Sequence, residues 1–234
     1  MLADCTVSLS PIYSEPNPQS TMVSQILFGE LCEILDREND FYKIKLSFDG
    51  TEGWVSALIL NDLEVPSAKN TVTEPCVRYA TKSGTHLLSL GSEVTEETDS
   101  NFKNENLKEN ISSLANVLQN IPYVFGGRSV FGCDADGFVQ LVFKTNAIFL
   151  PRQAKDQALL GDVLDFLGES DAGDLAFFEN ELGQINHVGI MLNNYQVIHC
   201  FGKVRIDSLD SSGIYNVDLK KHTHKLRFVK RILN

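Results

Sequence analysis

The first 65 residues hold short runs rich in β-branched and aromatic side chains, each broken by a turn signal before it is long enough for a helix. The runs lie at residues 6–9, 22–27, 32–35, 42–46 and 53–55. The breaks include Pro16-Asn17-Pro18, Glu38-Asn39-Asp40 and Asp49-Gly50. Five short strands at this spacing predict a small β-barrel over residues 1–65. Beyond about residue 105 the period changes. Asn110 can cap a helix carrying Ile111, Leu114, Val117 and Leu118 on one face. After the glycine-rich turn Phe125-Gly126-Gly127-Arg128, a second helix starts near Ala135 and presents Phe138, Leu141 and Val142, and a short one covers residues 153–160. Strand patterns follow at residues 175–178, 187–192, 196–199 and 226–229. Helices followed by antiparallel strands predict an α+β domain over residues 106–234. Residues 66–105 are expected to connect the two domains, with a weak β pattern at 76–79 and 85–88 and an acidic stretch from Glu93 to Glu109 that reads as solvated.

Composition limits the partners. A hydrophobic content of 43% and a charged content of 22% are those of an ordinary globular protein, and no run approaches the ~18 apolar residues of a membrane span. A net charge of −11 argues against nucleic acid or an anionic membrane as partner. The five cysteines, at 5, 32, 76, 133 and 200, are odd in number and lack metal-like spacing, so no metal and no cofactor are expected. Free thiols in a reducing compartment are the simpler account. Met1-Leu2-Ala3-Asp4-Cys5 has no basic or apolar leader segment, which points to the cytoplasm unless a leader has been removed. Leu2-Ala3-Asp4-Cys5 has some look of a trimmed lipoprotein signal, although Asp4 fits it poorly.

Two histidines, His187 and His199, fall on consecutive strands joined at Asn193-Asn194. A hairpin centred near residue 193 sets them opposite each other, with Cβ atoms about 4.5–5.5 Å apart, so that one imidazole can orient the other as a base. On spacing alone, two half-buried strand histidines explain the pattern as well.

The segment from Tyr123-Val124-Phe125-Gly126-Gly127 through Cys133-Asp134-Ala135-Asp136-Gly137-Phe138 resembles the signature of the NlpC/p60 family of cell-wall cysteine peptidases. There Tyr-x-Trp/Phe-Gly-Gly precedes Asp-Cys-Ser-Gly-Phe. Gly173 to Phe178, His187-Val188-Gly189-Ile190 and the run from Ile198 to Asp207 resemble the same family, in the same order. The resemblance implies a papain-like α+β NlpC domain. In that family a cysteine at the first turn of a helix is the nucleophile, activated by the helix dipole and a histidine. It implies that Ala135 occupies the nucleophile position, that His187 is the base and His199 its orienter, and that Tyr123 stands beside the oxyanion.

Pro11 to Pro16 and Asp49 to Trp54 resemble the bacterial SH3-like domain fused to such peptidases, with Trp54 in the barrel core. The fusion implies a γ-D-glutamyl-L-diamino-acid endopeptidase acting on small cell-wall peptides with a free N-terminal L-alanine. Asp134 and Glu15 would pair with that ammonium, which needs a charged partner once buried. Asp136, where the family usually has serine, is grouped with them at the substrate. Asp134 is equally placed to cap the following helix, and Glu15 to be a solvated loop carboxylate.

The departures cluster around one pocket. Ala135 cannot attack a peptide, and Cys133, two residues earlier, is turned by about 200° on a forming helix. Cys133 and Cys200 read as packing residues. Asp136, Gln153, Thr51 and Phe201 also differ from the family pattern. A lone cysteine-to-alanine change would look like deliberate inactivation, whereas several changes look like natural drift. Two functions stay open: a cell-wall peptide hydrolase whose nucleophile has been replaced, and a natural non-catalytic member that binds a peptide or a protein.

Overall fold

The computed structural model describes residues 1–96 and 106–233, and these divide into two compact units. One gathers residues 1–96 with Val124–Gly132, the other residues 106–123 with residues 133–233.

In the first unit β1 (Leu2–Cys5), β2 (Leu9–Tyr13), β3 (Met22–Leu27), β4 (Leu31–Glu38), β5 (Phe41–Leu46), β6 (Glu52–Ser56) and β7 (Leu60–Leu63) form one antiparallel sheet in the order β3-β2-β6-β5-β4-β1-β7. Alternating residues send Ala3, Ile12, Ile26, Ile34, Ile44 and Val55 into one core, around which the sheet curls. Each large aliphatic side chain buried there contributes about 1.5–3 kcal/mol. The stretch 6–9, expected as a strand, is mostly the link from β1 to β2. Pro11, which cannot donate to a ladder, hides β2 from a propensity reading. Trp54 is not a core residue: buried Gly53 and Val55 flank it, so alternation turns it to the other face, opposite Tyr13 and Lys43.

Four short strands follow: β8 (Asn70–Thr71), β9 (Cys76–Thr81), β10 (Gly84–Ser89) and β11 (Glu93–Val94). Strands β9 and β10 form a hairpin, β8 pairs with β11, and Val72, Leu88 and Val94 bury together against Phe28. The acidic stretch thus begins in a strand and ends inside a helix, while residues 97–105 lie outside the described residues. Strand β12 (Arg128–Ser129) adds a buried ion pair to this unit. The Arg128 guanidinium reaches Glu30, both side chains 1% exposed, and its backbone N–H donates to Gln25 Oε1 at 2.9 Å.

The second unit is built from α1 (Leu107–Val117), α2 (Ala135–Lys144), α3 (Ala154–Gln157) and a sheet, and the short strand β13 (Gly132–Cys133) leads into α2. Asn106, not Asn110, caps α1, its Oδ1 accepting from the N–H groups of Lys108 and Glu109. Asn110 is buried one turn in, and Val117, expected on the apolar face, is 53% exposed. Nearly every residue of α2 is buried, and the helix lies on the sheet.

That sheet consists of β14 (Asp162–Val163), β15 (Leu175–Glu179), β16 (Ile185–Asn193), β17 (Gln196–Phe201), β18 (Lys203–Asp210), β19 (Gly213–Asn216) and β20 (Lys221–Arg231), all antiparallel. Because β20 pairs with both β15 and β19, six strands close on themselves, leaving β14 as an appendage on β20. Ala176, Phe178, Met191, Val197, Leu209, Ile214 and Val229 pack together as a core of this closed sheet. Among the described residues no helix is long and apolar enough to cross a membrane.

Candidate active site

The two predicted histidines meet, but not as direct partners. Their hairpin turns at Asn194-Tyr195, with an irregularity between Met191 and Asn193, so His199 lies opposite Gly189 and His187 sits two residues further along. A shift of two preserves the face, and the two rings still hydrogen-bond, His187 Nε2 to His199 Nδ1, at 2.8 Å. Gly189 makes this possible. A Cβ there would lie 2.6 Å from Val197 Cγ2 and 3.0 Å from His199 Cβ, in the space over which His199 leans.

The same diagonal step recurs on the next strand. His199 lies opposite Arg205, so Asp207 shares its face two residues on, and its Oδ2 stands 3.2 Å from His199 Nε2. Arg205 donates to both oxygens of Asp207, at 2.7 and 2.9 Å, and Asn216 Nδ2 donates to Oδ2 at 3.0 Å. Burial alone would raise the Asp207 pKa, but the hydrogen bonds from His199 and Arg205 outweigh it and hold the carboxyl below its ordinary value.

An ionised carboxylate only accepts, so His199 carries its proton on Nε2 and offers the Nδ1 lone pair. The proton between the rings therefore belongs to His187 Nε2, which leaves His187 Nδ1 as the basic atom. Burial, aided by the neighbouring imidazoles, holds His187 well below the usual histidine range, and burial also lowers His199 despite Asp207. Both rings are neutral at pH 7.

Sequence reasoning gave no role to Asp207, Arg205, Asn216 or His224. The first two were within reach, because strand alternation across the Gly202 turn puts them on the His199 face. His224, on β20, stacks on His187 with ring centroids 4.0 Å apart. Burial, reinforced by His199, lowers its pKa to about 4.

Ala135 is the first residue of α2 and is 5% exposed. Helix α2 packs on β16 and β17, and Cys200, next to His199, touches the segment just before Ala135. Cys200 Sγ lies 3.8 Å from Cys133 Sγ and 3.2 Å from Cys133 O. The contact with Cys200, with burial, pushes the Cys133 thiol far up, so it is no reactive substitute. Tyr123 sits beside this point, bridged to Cys133 and donating its backbone N–H to Gly202 O at 3.0 Å. Its ring is 43% exposed, and partial burial and the Asp134 carboxylate raise its pKa.

Asp134 does cap α2, its Oδ1 accepting from Gly137 N at 2.7 Å, and it also pairs with Arg152 at 3.0 and 2.7 Å. Asp136 Oδ2 accepts from Ala154 N at 2.9 Å, tying α2 to α3. Burial, then the charge of Asp134, pushes the Asp136 pKa up to about 6. Glu15 belongs to the first unit, exposed in the turn between β2 and β3, where its backbone N–H faces Ser20 Oγ at 3.3 Å.

Comparison with known proteins identifies both halves of the chain. Residues 120–223 match the NlpC/P60 family and residues 12–58 the bacterial dipeptidyl-peptidase Sh3 domain. Over 93 residues, 39% of the chain, there is 39% identity to a gamma-D-glutamyl-L-lysine dipeptidyl-peptidase of Bacillus subtilis (strain 168), of which 31% is spanned. A probable endopeptidase NlpC of Escherichia coli (strain K12) is 36% identical over 104 residues, which cover 41% of the chain and 67% of that protein. The crystal structure of an NlpC/P60 family protein from Bacillus cereus ATCC 10987 superposes over 100% of both chains with a TM-score of 0.83 at 16% identity, a likeness of fold.

Proposed function

The chain belongs to the NlpC/P60 family, and we propose on that premise that its second unit is a papain-like cell-wall peptide hydrolase site, silent because Ala135 replaces the nucleophile. The observation that carries this reading is the relay Asp207–His199–His187. A site that only holds a peptide does not require two neutral imidazoles locked in one tautomer by a carboxylate. A base that takes a thiol proton and returns it to a leaving amine needs that arrangement. The first turn of α2 supplies the positive end of the helix dipole at position 135, the surroundings a thiolate requires. In this reading Tyr123, alongside, faces the developing oxyanion.

For the substrate we propose a peptide with a γ-D-glutamyl–diamino-acid bond, the linkage in the name of the Bacillus subtilis relative. In this reading Asp134, paired with Arg152, shares its charge with the free ammonium of the peptide. As it stands, the chain holds such a peptide and leaves it intact.

Asp136 favours a second reading, a natural non-catalytic member. A carboxylate wired to Ala154 one residue beyond the nucleophile position opposes a thiolate and suits a site where none forms. The Ala135→Cys variant separates the two. Rapid labelling by iodoacetamide together with cleavage of an L-Ala-γ-D-Glu-diaminopimelate peptide is the expected result. Labelling without cleavage favours a changed ligand. Absence of both removes the peptidase reading and leaves the fold.

A further inference from the structure

Three imidazoles from three strands converge in the second unit, and the peptidase relay employs only two of them. His187 on β16, His199 on β17 and His224 on β20 each offer a nitrogen, all within 4.8 Å of one another. We propose that this cluster is a binding site for a single first-row divalent transition-metal ion of the zinc type. The proposal is independent of whether the site ever cleaves a peptide.

The donor set is the first support. Neutral imidazole is the ligand form, and burial keeps these rings unprotonated at neutral pH. Three histidines also leave one position of a tetrahedral ion open. The spacing fits as well. Nitrogens about 2.0–2.1 Å from a tetrahedral zinc stand about 3.3 Å apart, so rings now within 4.8 Å of each other need only small rotations.

The surrounding groups are the second support. A histidine that binds metal usually holds its other nitrogen on a carboxylate or similar group. His199 does so through Asp207, itself fixed by Arg205 and Asn216. His224 Nδ1 lies 2.9 Å from Thr223 Oγ1, which leaves Nε2 for the ion. The sequence pointed to no metal because cysteine spacing was the only ligand pattern it displayed. Histidines brought together by sheet closure have no spacing signature.

Binding relocates one proton. The ion takes the lone pairs of His199 Nδ1 and His187 Nε2, so the proton they share moves to His187 Nδ1. No proton leaves the protein, and the His187 tautomer reverses.

The test is a Zn²⁺ titration of the full chain by calorimetry, under reducing conditions and in a non-chelating buffer, with Co²⁺ as the spectroscopic probe. One equivalent should bind, and the cobalt complex should lack a sulfur charge-transfer band. His224→Gln should weaken binding by more than the roughly 10- to 100-fold that loss of an outer partner costs. His222→Gln, which alters the exposed His222–Asp210 pair, should leave it unchanged. Nitrogen-15 spectra of the unsubstituted chain should show the His187 tautomer reversing with zinc, a reading that survives even if a variant misfolds. No binding, equal binding by His224→Gln, a thiolate band from Cys133 and Cys200, or an unmoved His187 tautomer would each overturn the proposal.

Discussion

Replacing Asp136 by Asn measures what the carboxylate beside the nucleophile position costs the fold. Two influences compete on it. Its place in the first turn of α2 and the N–H of Ala154, 2.9 Å from Oδ2, favour the anion. Burial and the adjacent Asp134 charge oppose it and prevail, raising the pKa from 3.8 to about 6. Between those values the folded chain keeps a proton that the unfolded chain has released. The stabilisation is therefore complete below the unfolded value and is lost as pH rises through about 6.

About two pH units at ~1.4 kcal/mol each give about 3 kcal/mol, and partial exposure of the side chain brings this to roughly 1–3 kcal/mol. Asparagine keeps an oxygen for Ala154 and carries no charge at any pH. Urea unfolding of both proteins from pH 4 to 7.5 should show Asp136→Asn gaining on the unsubstituted chain by that amount as pH rises. Packing changes caused by the substitution are present at every pH, so only the slope of the difference is diagnostic. A difference that stays flat, or that slopes the other way, refutes the assignment of a raised pKa to Asp136.

Two further substitutions probe the buried charges. Arg128→Met strands the Glu30 carboxylate in the first unit and should cost about 3–5 kcal/mol in urea unfolding, with Arg128→Met/Glu30→Gln recovering part of it. A loss below about 1 kcal/mol would mean that the pair contributes little. Asp207→Asn should weaken the relay without reversing it: Oδ2 accepts from Arg205 Nε and Asn216 Nδ2 and is also the oxygen that meets His199, so an amide oxygen held there still accepts from His199 Nε2–H but carries no charge. The His199 pKa, which the Asp207 carboxylate raises, should fall further in a nitrogen-15 titration, and an unmoved value would remove Asp207 from the relay.

How much of this was legible in the sequence depended on the range of the interaction that fixes each part. Ala135 at the start of α2, with Phe138, Leu141 and Val142 buried behind it, is determined within one helix and was read correctly. His187 and His199 were read onto one face because strand alternation has a period of two, and that survives any even slip. Their register was not readable, since it depends on which residues form the turn and on the irregularity near Leu192. The first strands were harder, because β2 contains Pro11 and Trp54 looks like a core residue until its buried neighbours Gly53 and Val55 set the alternation.

His224 marks the limit of such reading. It is separated from His199 in sequence by β18 and β19, and no local pattern distinguishes it from exposed His222, two residues earlier on the same strand. What brings His224 to His187 is the pairing of β20 with both β15 and β19, a closure decided by the whole ring of strands. The relay needs only two successive hairpins, β16–β17 and β17–β18, each linking neighbours in sequence. The third imidazole needs the ring to close. The part of the site that resembles a peptidase is therefore encoded locally, whereas the part that suits a metal ion exists only in the closed sheet, which is why the motif reveals the first and is silent about the second.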